Sequence, residues 1–332
     1  MSPQLPDRNQ LLEMAGGYRA ACVVGAAAEL DLFTLLSKES LTAEAAAGRL
    51  NADLRALRIL LDAVAALGLL DKRNDLYSVP DLLRPLLSGD DPQTLLPMLL
   101  HNMTILRSWS QLAWVVQSGK PPARQASIRG ADADRAAFVA AMHSISGPMA
   151  DDLVARLGPP RFTHLLDVGG ASGTWTLAFL RAAATATATL VDLPDAIAQA
   201  RQRLAGTPFA SRVNLVSGNF YQDELPSGAD YAWVSAIIHQ HSRQHNRELF
   251  AKVFRALQPG GRIGIRDMVM DASRIYPVAG ALFAVNMLVN TESGGTFTYA
   301  EIAADLEAAG FVKPRLAVAS KEMSAVVEAE KK

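Results

Sequence analysis

The segment 165–173 constrains the fold of this chain more than any other part of its sequence. It reads LLDVGGASG, and the helical pattern TWTLAFLRAA follows shortly after it. An apolar run that ends in an acid and continues through a glycine-rich turn into a helix is typical of the first unit of a ligand-binding α/β sheet. Glycines at such a strand end let the backbone approach a ligand closely. We therefore predict a ligand site that contains Asp167, Gly169, Gly170 and Gly173.

The rest of the C-terminal half repeats this alternation of apolar runs and helical patterns. The apolar runs cover residues 163–168, 187–191, 213–216, 231–235 and 262–265. Strands that alternate with helices at this spacing favour a parallel sheet covered by helices on both faces. The pattern changes at Pro159–Arg161. We predict a Rossmann-like α/β domain over residues 151–332 and a separate, mainly helical domain over residues 1–150.

The N-terminal part has the pattern of a winged helix. Thr42 is placed to cap one helix and Asn51 to cap the next, which Gly68 ends. The runs Leu69–Leu70 and Leu76–Val79 then flank a polar tip, as in a small β-hairpin. Winged helices often bind DNA, but only Arg55 and Arg58 lie early in the second helix, with few other phosphate-binding residues around them. A packing module is therefore the favoured interpretation.

The spacing of the glycine-rich turn distinguishes two classes of ligand. A dinucleotide site requires the order G-x-G-x-x-G, with the pyrophosphate at the helix N-terminus. Here the order is acid-x-Gly-x-x-x-Gly, and Asp167 would place a second negative charge beside a pyrophosphate. A sulfonium ligand that carries an ammonium group tolerates this acid and can donate hydrogen bonds to it. The turn therefore favours a cationic ligand.

Residues at the next two strand ends fit a nucleoside. Asp192 can accept hydrogen bonds from both ribose hydroxyls, although a helix cap before Pro194 is the alternative. Asn219 can pair with the edge of an adenine, and Phe220 or Leu193 can sandwich its ring. We therefore predict Asp192, Leu193, Asn219 and Phe220 as cofactor contacts.

Charge and cysteine content exclude several classes of protein. The 332 residues carry a formal net charge of -1, which disfavours a nucleic-acid ligand. The single cysteine, Cys22, cannot form an internal disulfide, and no Cys/His spacing indicates zinc. The polar start MSPQLPDRNQ lacks the pattern of a signal peptide, and no uncharged apolar run reaches the ~18–20 residues that span a bilayer. We expect a cytoplasmic protein with neither nucleic acid nor membrane as partner.

Taken in order, these motifs resemble the class I S-adenosylmethionine-dependent O-methyltransferases of small molecules, of the plant caffeate and bacterial polyketide type. The resemblance covers roughly residues 10–320 and includes GYRAACVVGAAAELDLFTLL, LLDVGGASG, LVDLP, GNFYQDELP, LQPGGRIGIRD and a GG-x-F-T segment before a helix ending AAGF. It implies S-adenosylmethionine as cofactor, a small-molecule acceptor, and a winged-helix N-terminal domain that forms a homodimer and walls the partner's pocket.

The resemblance also implies the catalytic residues. The family's base is a histidine after the fourth strand, and His239 stands at that position, while Asp267 follows the fifth strand where the family has an acid near the histidine. A histidine titrates near working pH and can take a hydroxyl proton as the methyl group arrives. Ser235, at the end of the fourth strand, is a further expected cofactor contact. A metal on His239 and His241 is not expected, because residues two apart do not share a helix face.

The resemblance places the acceptor between the C-terminal helices and the N-terminal domain. Asn286 and Asn290 are four residues apart, hence on one helix face, within the apolar run ALFAVNMLVN. Buried amides need partners, and a ligand can be one. The predicted acceptor contacts are Met142, His143, Asn286, Met287 and Asn290, with His101, Met103, Trp109, Phe138 and Phe283 as further candidates by position.

The chain departs from the family pattern at three positions. His241 replaces an aromatic residue, Asn219 replaces an acid, and Gly294–Thr298 lacks the carboxylate that plant members have there. The last departure keeps an N-, S- or C-methyltransferase open beside the predicted transfer to a hydroxyl. A winged-helix regulator that senses S-adenosylmethionine and a relative that has lost methyl transfer are further alternatives. The identity of the acceptor is not encoded in the motifs, because a shared fold carries many functions.

Overall fold

The structure is a computed structural model that describes residues 5–158 and 161–332. Contacts between Cα atoms divide the chain into two compact units. The first comprises Met1–Arg107 and Arg124–Ser144, and the second comprises Ser108–Ala123 and Ile145–Lys332. Helices α7 (Leu96–Trp109) and α9 (Ala131–Arg156) have residues in both units.

The first unit is mainly helical and has the predicted winged-helix order. Its other elements are α1 (Arg8–Gly16), α2 (Tyr18–Glu29), α3 (Leu32–Lys38), β1 (Leu41–Thr42), α4 (Ala43–Leu50), α5 (Leu54–Ala66), β2 (Asp71–Arg73), β3 (Leu76–Ser78) and α6 (Arg84–Leu87). The three strands form one antiparallel sheet in the order β1-β3-β2. The buried core of this unit includes Phe33, Leu57, Leu61 and Tyr77.

Two local predictions in the first unit are wrong. The N-cap of α5 is Asp53, whose side chain accepts a hydrogen bond from the backbone N–H of Ala56 at 2.8 Å, whereas Asn51 takes a left-handed conformation at the end of α4. The first strand of the hairpin also lies further along the chain than predicted, at Asp71–Arg73 instead of Leu69–Leu70, because Asn74 and Asp75 both have positive φ, whereas β3 lies at the predicted position. A turn of two such residues matches the twist of paired strands and fixes their register, so Lys72 and Arg73 lie in β2.

Helix α1 is exposed on all sides in this unit. None of its residues is buried, and Leu11, Leu12 and Met14 are each more than half exposed. Within the described residues, no single helix is long and apolar enough to cross a membrane, and one bent pair, Arg8–Glu29 with Leu32–Lys38, passes that test by length and composition alone.

The second unit contains the predicted α/β sheet. Its elements are α8 (Leu112–Ser118), β4 (His164–Val168), α10 (Thr174–Ala182), β5 (Thr187–Asp192), α11 (Pro194–Leu204), β6 (Val213–Ser217), β7 (Ala229–Ser235), α12 (Arg243–Ala256), β8 (Leu257–Asp267), β9 (Val269–Met270), α13 (Val278–Asn290), β10 (Phe297–Thr298), α14 (Tyr299–Ala308), β11 (Val312–Val318) and β12 (Ala325–Glu330), with single 3₁₀ turns at Ala210–Arg212 and Ile238–Gln240. The five predicted strands are β4 to β8.

The sheet has seven strands in the order β11-β12-β8-β7-β4-β5-β6. The pairs from β6 to β8 are parallel, and β12 and β11 add an antiparallel edge beside β8. One face packs a core around Phe250, Leu306 and Phe311, and the other packs Trp175 and Phe179 against Trp233. Because the strands between them are buried on both faces, β4 and β7 consist mostly of apolar residues.

Candidate active site

The candidate residues gather at the carboxyl ends of the parallel strands. The chain runs from β4 to β5 and β6 on one side, and then crosses to β7 and β8 on the other side of β4. A crevice opens at such a switch point, and ligands of open α/β sheets bind there. The ends of these five strands bring Asp167, Asp192, Asn219, Ser235 and Asp267 to one edge.

The turn after β4 depends on its glycines. Gly169 has φ +69°, and a Cβ built on it would lie 2.6 Å from Cδ1 of Ile237. A Cβ on Gly170 would lie 2.6 Å from Cγ of Leu190. Gly173, with φ +81°, is the residue from which α10 begins. A side chain at Gly169 or Gly170 would therefore displace its neighbours, and the left-handed backbone at Gly169 and Gly173 favours glycine.

Asp167 is fully buried beside this turn. Its Oδ2 accepts a hydrogen bond from Oγ1 of Thr176 at 2.6 Å, while Oδ1 has no partner in the part of the chain that the structure describes. Burial raises the pKa of this carboxyl, the hydrogen bond from the Thr176 hydroxyl lowers it and the charge of Asp192 raises it, and the net pKa is about 7. A buried carboxylate oxygen without a donor costs free energy, so the site lacks a hydrogen-bond donor that a cationic ligand would supply.

Asp192 ends β5 and holds the glycine turn. Its Oδ2 accepts from the backbone N–H of Ala171 at 2.8 Å, and its Oδ1 accepts from that of Leu193 at 2.7 Å. Leu193 occupies the N-cap of α11, and no side chain caps that helix. The alternative role of Asp192 as a helix cap is therefore not the geometry observed. Burial raises the pKa of Asp192, and the two N–H donors lower it.

The loop after β6 is folded on itself around Asn219. Oδ1 of Asn219 accepts from the N–H of Tyr221 at 3.0 Å, and the N–H of Asn219 donates to Asp223 at 2.7 Å. That carbonyl is thus partly engaged within the loop. The ring of Phe220 packs at 4.5 Å from that of Tyr221, and Tyr221 lies 4.0 Å from His241, measured between centroids. Leu193 is half exposed.

His239 and Asp267 form a buried pair. Nδ1 of His239 lies 2.8 Å from Oδ1 and 3.0 Å from Oδ2 of Asp267, which also accepts from the N–H of Met268 at 2.7 Å. Because an ionised carboxylate only accepts hydrogen bonds, Nδ1 carries the proton and Nε2 keeps its lone pair. The ring of Phe283 meets the imidazole edge-on at 4.8 Å between centroids.

The backbone that carries His239 is fixed from several sides. Ala236 has φ +58° and donates its N–H to the carbonyl of Arg266 at 2.8 Å. Asn246 donates from Nδ2 to the carbonyl of Ile238 at 2.9 Å, and Gly295 donates its N–H to the carbonyl of His239 at 2.8 Å. These bonds limit the freedom of the 3₁₀ turn, so the imidazole is held against Asp267 by its backbone as well as by its side chain.

The predicted acceptor residues fall into both units. In the second unit, Oδ1 of Asn286 accepts from Nε1 of Trp109 at 2.9 Å and from Nδ2 of Asn290 at 3.0 Å, and Met287 is buried. The two amides thus partner each other in the described residues. Met142 and His143 belong to the first unit and lie half-buried on α9.

Three residues near these strand ends were not predicted from the sequence as part of the site. Thr176 bonds Asp167, Tyr221 packs on His241, and Arg266 is a buried cation inside β8 that donates to Oγ of Ser235 at 3.1 Å. For Arg266, the sequence signal that could have identified it is an arginine within the apolar run IGIRD.

The arrangement fits S-adenosylmethionine. The glycine turn leaves room for a ligand backbone, Oδ1 of Asp167 needs a donor, and the half-buried carboxylate of Asp192 can accept from vicinal hydroxyls. Asp167 and Asp192 are both acidic, which suits a ligand with ammonium and sulfonium groups. In the described residues, no group of three His, Cys, Asp or Glu side chains could hold a metal ion.

Comparison with known families agrees with this geometry. A model described as the O-methyltransferase domain matches residues 109–312, and one described as the O-methyltransferase dimerisation domain matches residues 12–87.

Individual relatives match over nearly the whole chain. A tetracenomycin polyketide synthesis 8-O-methyl transferase from Streptomyces glaucescens is 28% identical over 93% of this chain and 93% of its own. Acetylserotonin O-methyltransferase from Gallus gallus is 28% identical over 91% of each chain. The solved structure of an O-methyltransferase family protein from Burkholderia thailandensis superposes with a TM-score of 0.82 at 25% identity and covers 99% of each chain. The chain therefore belongs to the O-methyltransferase family, and it is a methyltransferase that depends on S-adenosylmethionine.

Proposed function

We propose that this protein methylates a hydroxyl group of a small aromatic acceptor, with His239 as general base and Asp267 as its positioning partner. The observation that supports this most is the buried contact of 2.8 Å between Nδ1 of His239 and Oδ1 of Asp267. A base is needed when the acceptor is a hydroxyl, because the oxygen must lose its proton as it is methylated.

Seven other residues are proposed to hold the cofactor beside Asp167 and Asp192. When bound, S-adenosylmethionine supplies a methyl group on a positively charged sulfur, which activates it for attack. Asp192 accepts hydrogen bonds from the ribose hydroxyls, and Oδ1 of Asp167 accepts from the ammonium group. The others are Gly169, Gly170 and Gly173 in the turn, and Leu193, Asn219, Phe220 and Ser235 around the nucleoside.

His239 removes the acceptor proton through Nε2. The bond from Nδ1 to Asp267 fixes the tautomer, orients the ring and stabilises the imidazolium that forms. Both side chains are buried, and a carboxylate in a medium of low dielectric stabilises a neighbouring cation more strongly than it would in water. Holding acceptor, methyl carbon and sulfur in line then supplies much of the remaining acceleration.

The missing acid near Thr296 does not change this proposal. Thr296 is buried without a carboxylate beside it in sequence, and Glu292 is exposed. We therefore propose that Asp267 alone orients His239, whereas plant members of the family are expected to use two acids. Transfer to N, S or C remains the alternative, but a neutral amine attacks without losing a proton first, so the buried pair favours oxygen over nitrogen. The regulator hypothesis loses support because residues 12–87 match a dimerisation domain.

The relatives suggest the class of acceptor. One acts in tetracenomycin polyketide synthesis, and another, 29% identical and from Streptomyces sahachiroi, is a 3-hydroxy-5-methyl-1-naphthoate 3-O-methyltransferase. We propose a phenolic hydroxyl on a fused aromatic ring. Its predicted contacts remain Met142, His143, Asn286, Met287 and Asn290.

The domain over residues 1–150 is proposed to form a homodimer, and the domain over 151–332 to bind the cofactor. Leu12, Met14 and Tyr18 are each more than half exposed and lie in or beside the dimerisation-domain match. Apolar side chains exposed together in this way mark protein–protein contacts. The cytoplasm is the proposed location, on the basis of the single cysteine.

Calorimetric titration with S-adenosylhomocysteine tests the cofactor site. Wild type should bind at micromolar concentration, and Asp192→Ala should bind at least tenfold more weakly, a loss of about 1.4 kcal/mol or more. Asp195→Ala is the matched control, because Asp195 is an exposed acid in the first turn of α11 and should leave the affinity unchanged. A folded wild-type protein that does not bind would refute the site.

Acceptor screening tests the reaction. Hydroxynaphthoates, hydroxyindoles and simple phenols are incubated with a labelled methyl donor, and His239→Ala is compared with wild type on any acceptor that is methylated. Loss of a general base is expected to lower the rate by roughly 10²- to 10⁴-fold. Near-full activity of the variant on the true acceptor would favour the N-, S- or C-methyltransferase.

A further inference from the structure

Arg266 is a buried cation without an anionic partner among the residues that the structure describes. Its side chain is 2% exposed, and its Nε has no hydrogen-bond partner among the described residues. Nη1 donates to Oγ of Ser235 at 3.1 Å, Nη2 approaches Sδ of Met149 at 3.5 Å, and the guanidinium lies 4.8 Å from the ring centroid of Trp175. Across the described ranges, no carboxylate comes within ion-pair distance of it. A hydroxyl, a thioether and a ring do not neutralise a buried charge.

The nearest acid in sequence does not serve this guanidinium. Asp267 is the adjacent residue of β8, so its side chain points to the opposite face of the sheet. Its carboxylate is already bonded to His239 and to the N–H of Met268. Burial lowers the pKa of Arg266 to about 10, and the charge of Asp267 partly offsets this effect, so the side chain is still cationic at neutral pH.

Arg266 lies on the same face of the sheet as Asp167. Asp167 pairs with Trp233, Trp233 pairs with Gly264, and Arg266 follows Gly264 by two residues. Strand spacing and rise then place the Cα atoms of Asp167 and Arg266 about 12 Å apart. Trp175 packs on Trp233 at 5.4 Å and on Arg266 at 4.8 Å, and Thr176, the next residue, bonds Asp167. A buried acid and a buried cation therefore flank the first turn of α10 without contacting each other.

We propose that Arg266 binds the carboxylate of the methionine part of the cofactor, while Oδ1 of Asp167 binds its ammonium group. An α-amino acid carries both charges close together, and it supplies both partners that these buried groups lack. A guanidinium offers donors in a planar fork that matches a carboxylate, and the free Nε edge of Arg266 is available for one of those bonds. This inference rests on the proposed cofactor site.

Two ligands that differ only in the carboxylate test the proposal. Binding of S-adenosylhomocysteine and of its decarboxylated analogue, S-adenosyl-3-thiopropylamine, is measured by calorimetry for wild type and for Arg266→Met. If the two groups form a hydrogen-bonded charge pair, Arg266→Met should lower the affinity for S-adenosylhomocysteine roughly 10- to 150-fold. The affinity for the decarboxylated analogue should change by less than about twofold, because that ligand has no group for Arg266 to bind.

The thermal stability of the ligand-free protein separates this role from a structural one. Replacing an unpaired buried cation by an apolar side chain is often neutral or stabilising. Arg266→Met should therefore keep or raise Tm without ligand, while it lowers the affinity for S-adenosylhomocysteine. Arg266→Lys keeps a cation but loses the fork, so its discrimination between the two ligands should lie between those of wild type and Arg266→Met.

The outcomes are distinct. If Arg266→Met loses affinity equally for both ligands, or keeps its affinity for both, the proposed role of Arg266 is overturned. If Arg266→Met does not fold, Arg266→Lys decides the question. A wild-type protein that binds the decarboxylated analogue as tightly as S-adenosylhomocysteine would overturn it too, yet leave the cofactor site intact. Failure of wild type to bind either ligand would refute the cofactor site itself and this inference with it.

Discussion

Replacing Asp267 by asparagine should remove most of the assistance that His239 receives. The variant keeps the size and shape of the side chain but loses its charge. In the protein, one carboxylate accepts from Nδ1 of His239 and from the N–H of Met268. Both donors meet Oδ1, and Oδ2 lies 3.0 Å from the same Nδ1 of His239. An amide accepts only through its oxygen, so its NH₂ either faces Nδ1 from the Oδ2 position or, when reversed, faces both donors. We therefore expect a misoriented imidazole whose cation is no longer stabilised.

The expected magnitude follows from the contact. A hydrogen bond to a charged group contributes about 1.5–3 kcal/mol. At the observed 2.8 Å between Nδ1 and Oδ1, the attraction between imidazolium and carboxylate is limited to roughly 6 kcal/mol for an effective dielectric constant near 20. A loss of about 2–4 kcal/mol in the transition state lowers kcat roughly 30- to 1,000-fold. The affinity for S-adenosylhomocysteine should be unchanged, because Asp267 is not proposed to contact the cofactor.

The assay is single-turnover methyl transfer to a phenolic acceptor at saturating cofactor, followed across pH. As pH rises toward the ordinary phenol pKa of about 10, a growing share of the acceptor is already ionised and needs no base. The deficit of Asp267→Asn should therefore shrink with rising pH. Asp271→Asn is the matched control, since Asp271 is an exposed acid four residues further on whose side chain accepts from Ser273 and Arg274 in its own loop.

A folded Asp267→Asn protein that keeps kcat within about threefold of wild type would refute this reasoning. It would mean that no imidazolium develops in the rate-limiting step. A deficit of the predicted size that is independent of pH would instead point to distortion of the site, and a parallel loss of cofactor affinity would identify that distortion directly.

Three other variants test the turn, the buried acid and the dimer. Gly170→Ala would place a Cβ 2.6 Å from a side-chain atom and should cost about 1–3 kcal/mol in chemical denaturation, whereas Gly48→Ala, with open space on an exposed helix, should stabilise by about 0.5–1 kcal/mol. Asp167 has a pKa raised to about 7, so its contribution to stability is full below its ordinary pKa and is lost as pH rises through 7. The Tm of ligand-free Asp167→Asn should accordingly exceed that of wild type by an amount that grows from pH 4 to pH 8, and a constant difference would contradict this. Replacing both Leu12 and Met14 by glutamate should shift the protein from dimer toward monomer in analytical ultracentrifugation, and an unchanged mass would remove α1 from the interface.

Local pattern was sufficient for part of this structure. The strand, turn and helix around Asp167 were predicted because their signals lie within a few residues of each other. The partnership of His239 and Asp267 came from family resemblance, since nothing local indicates that residues 28 apart share a hydrogen bond. Asp53 rather than Asn51 as helix cap shows the usual uncertainty at element ends.

Other features depend on the order of the strands in the sheet and could not be predicted from local sequence patterns. Arg266 and Asp167 share a face only because β7 lies between β4 and β8. The edge strands β11 and β12 were not predicted, because β11 contains Pro314, has a left-handed residue at Lys313 and mixes buried with exposed positions irregularly. Such strands form because β8 offers an open edge, which is a property of the assembled sheet and not of the segment itself.

The contact between Gly169 and Ile237 limits how this sequence can evolve. A Cβ at residue 169 would lie 2.6 Å from the Ile237 side chain, and Ile237 stands two residues before His239. A larger residue at 169 would be strained by the left-handed φ of +69° and would also have to displace the side chain of Ile237, close to the proposed base His239. Glycine should therefore be retained at 169 among homologues even where residue 237 becomes smaller.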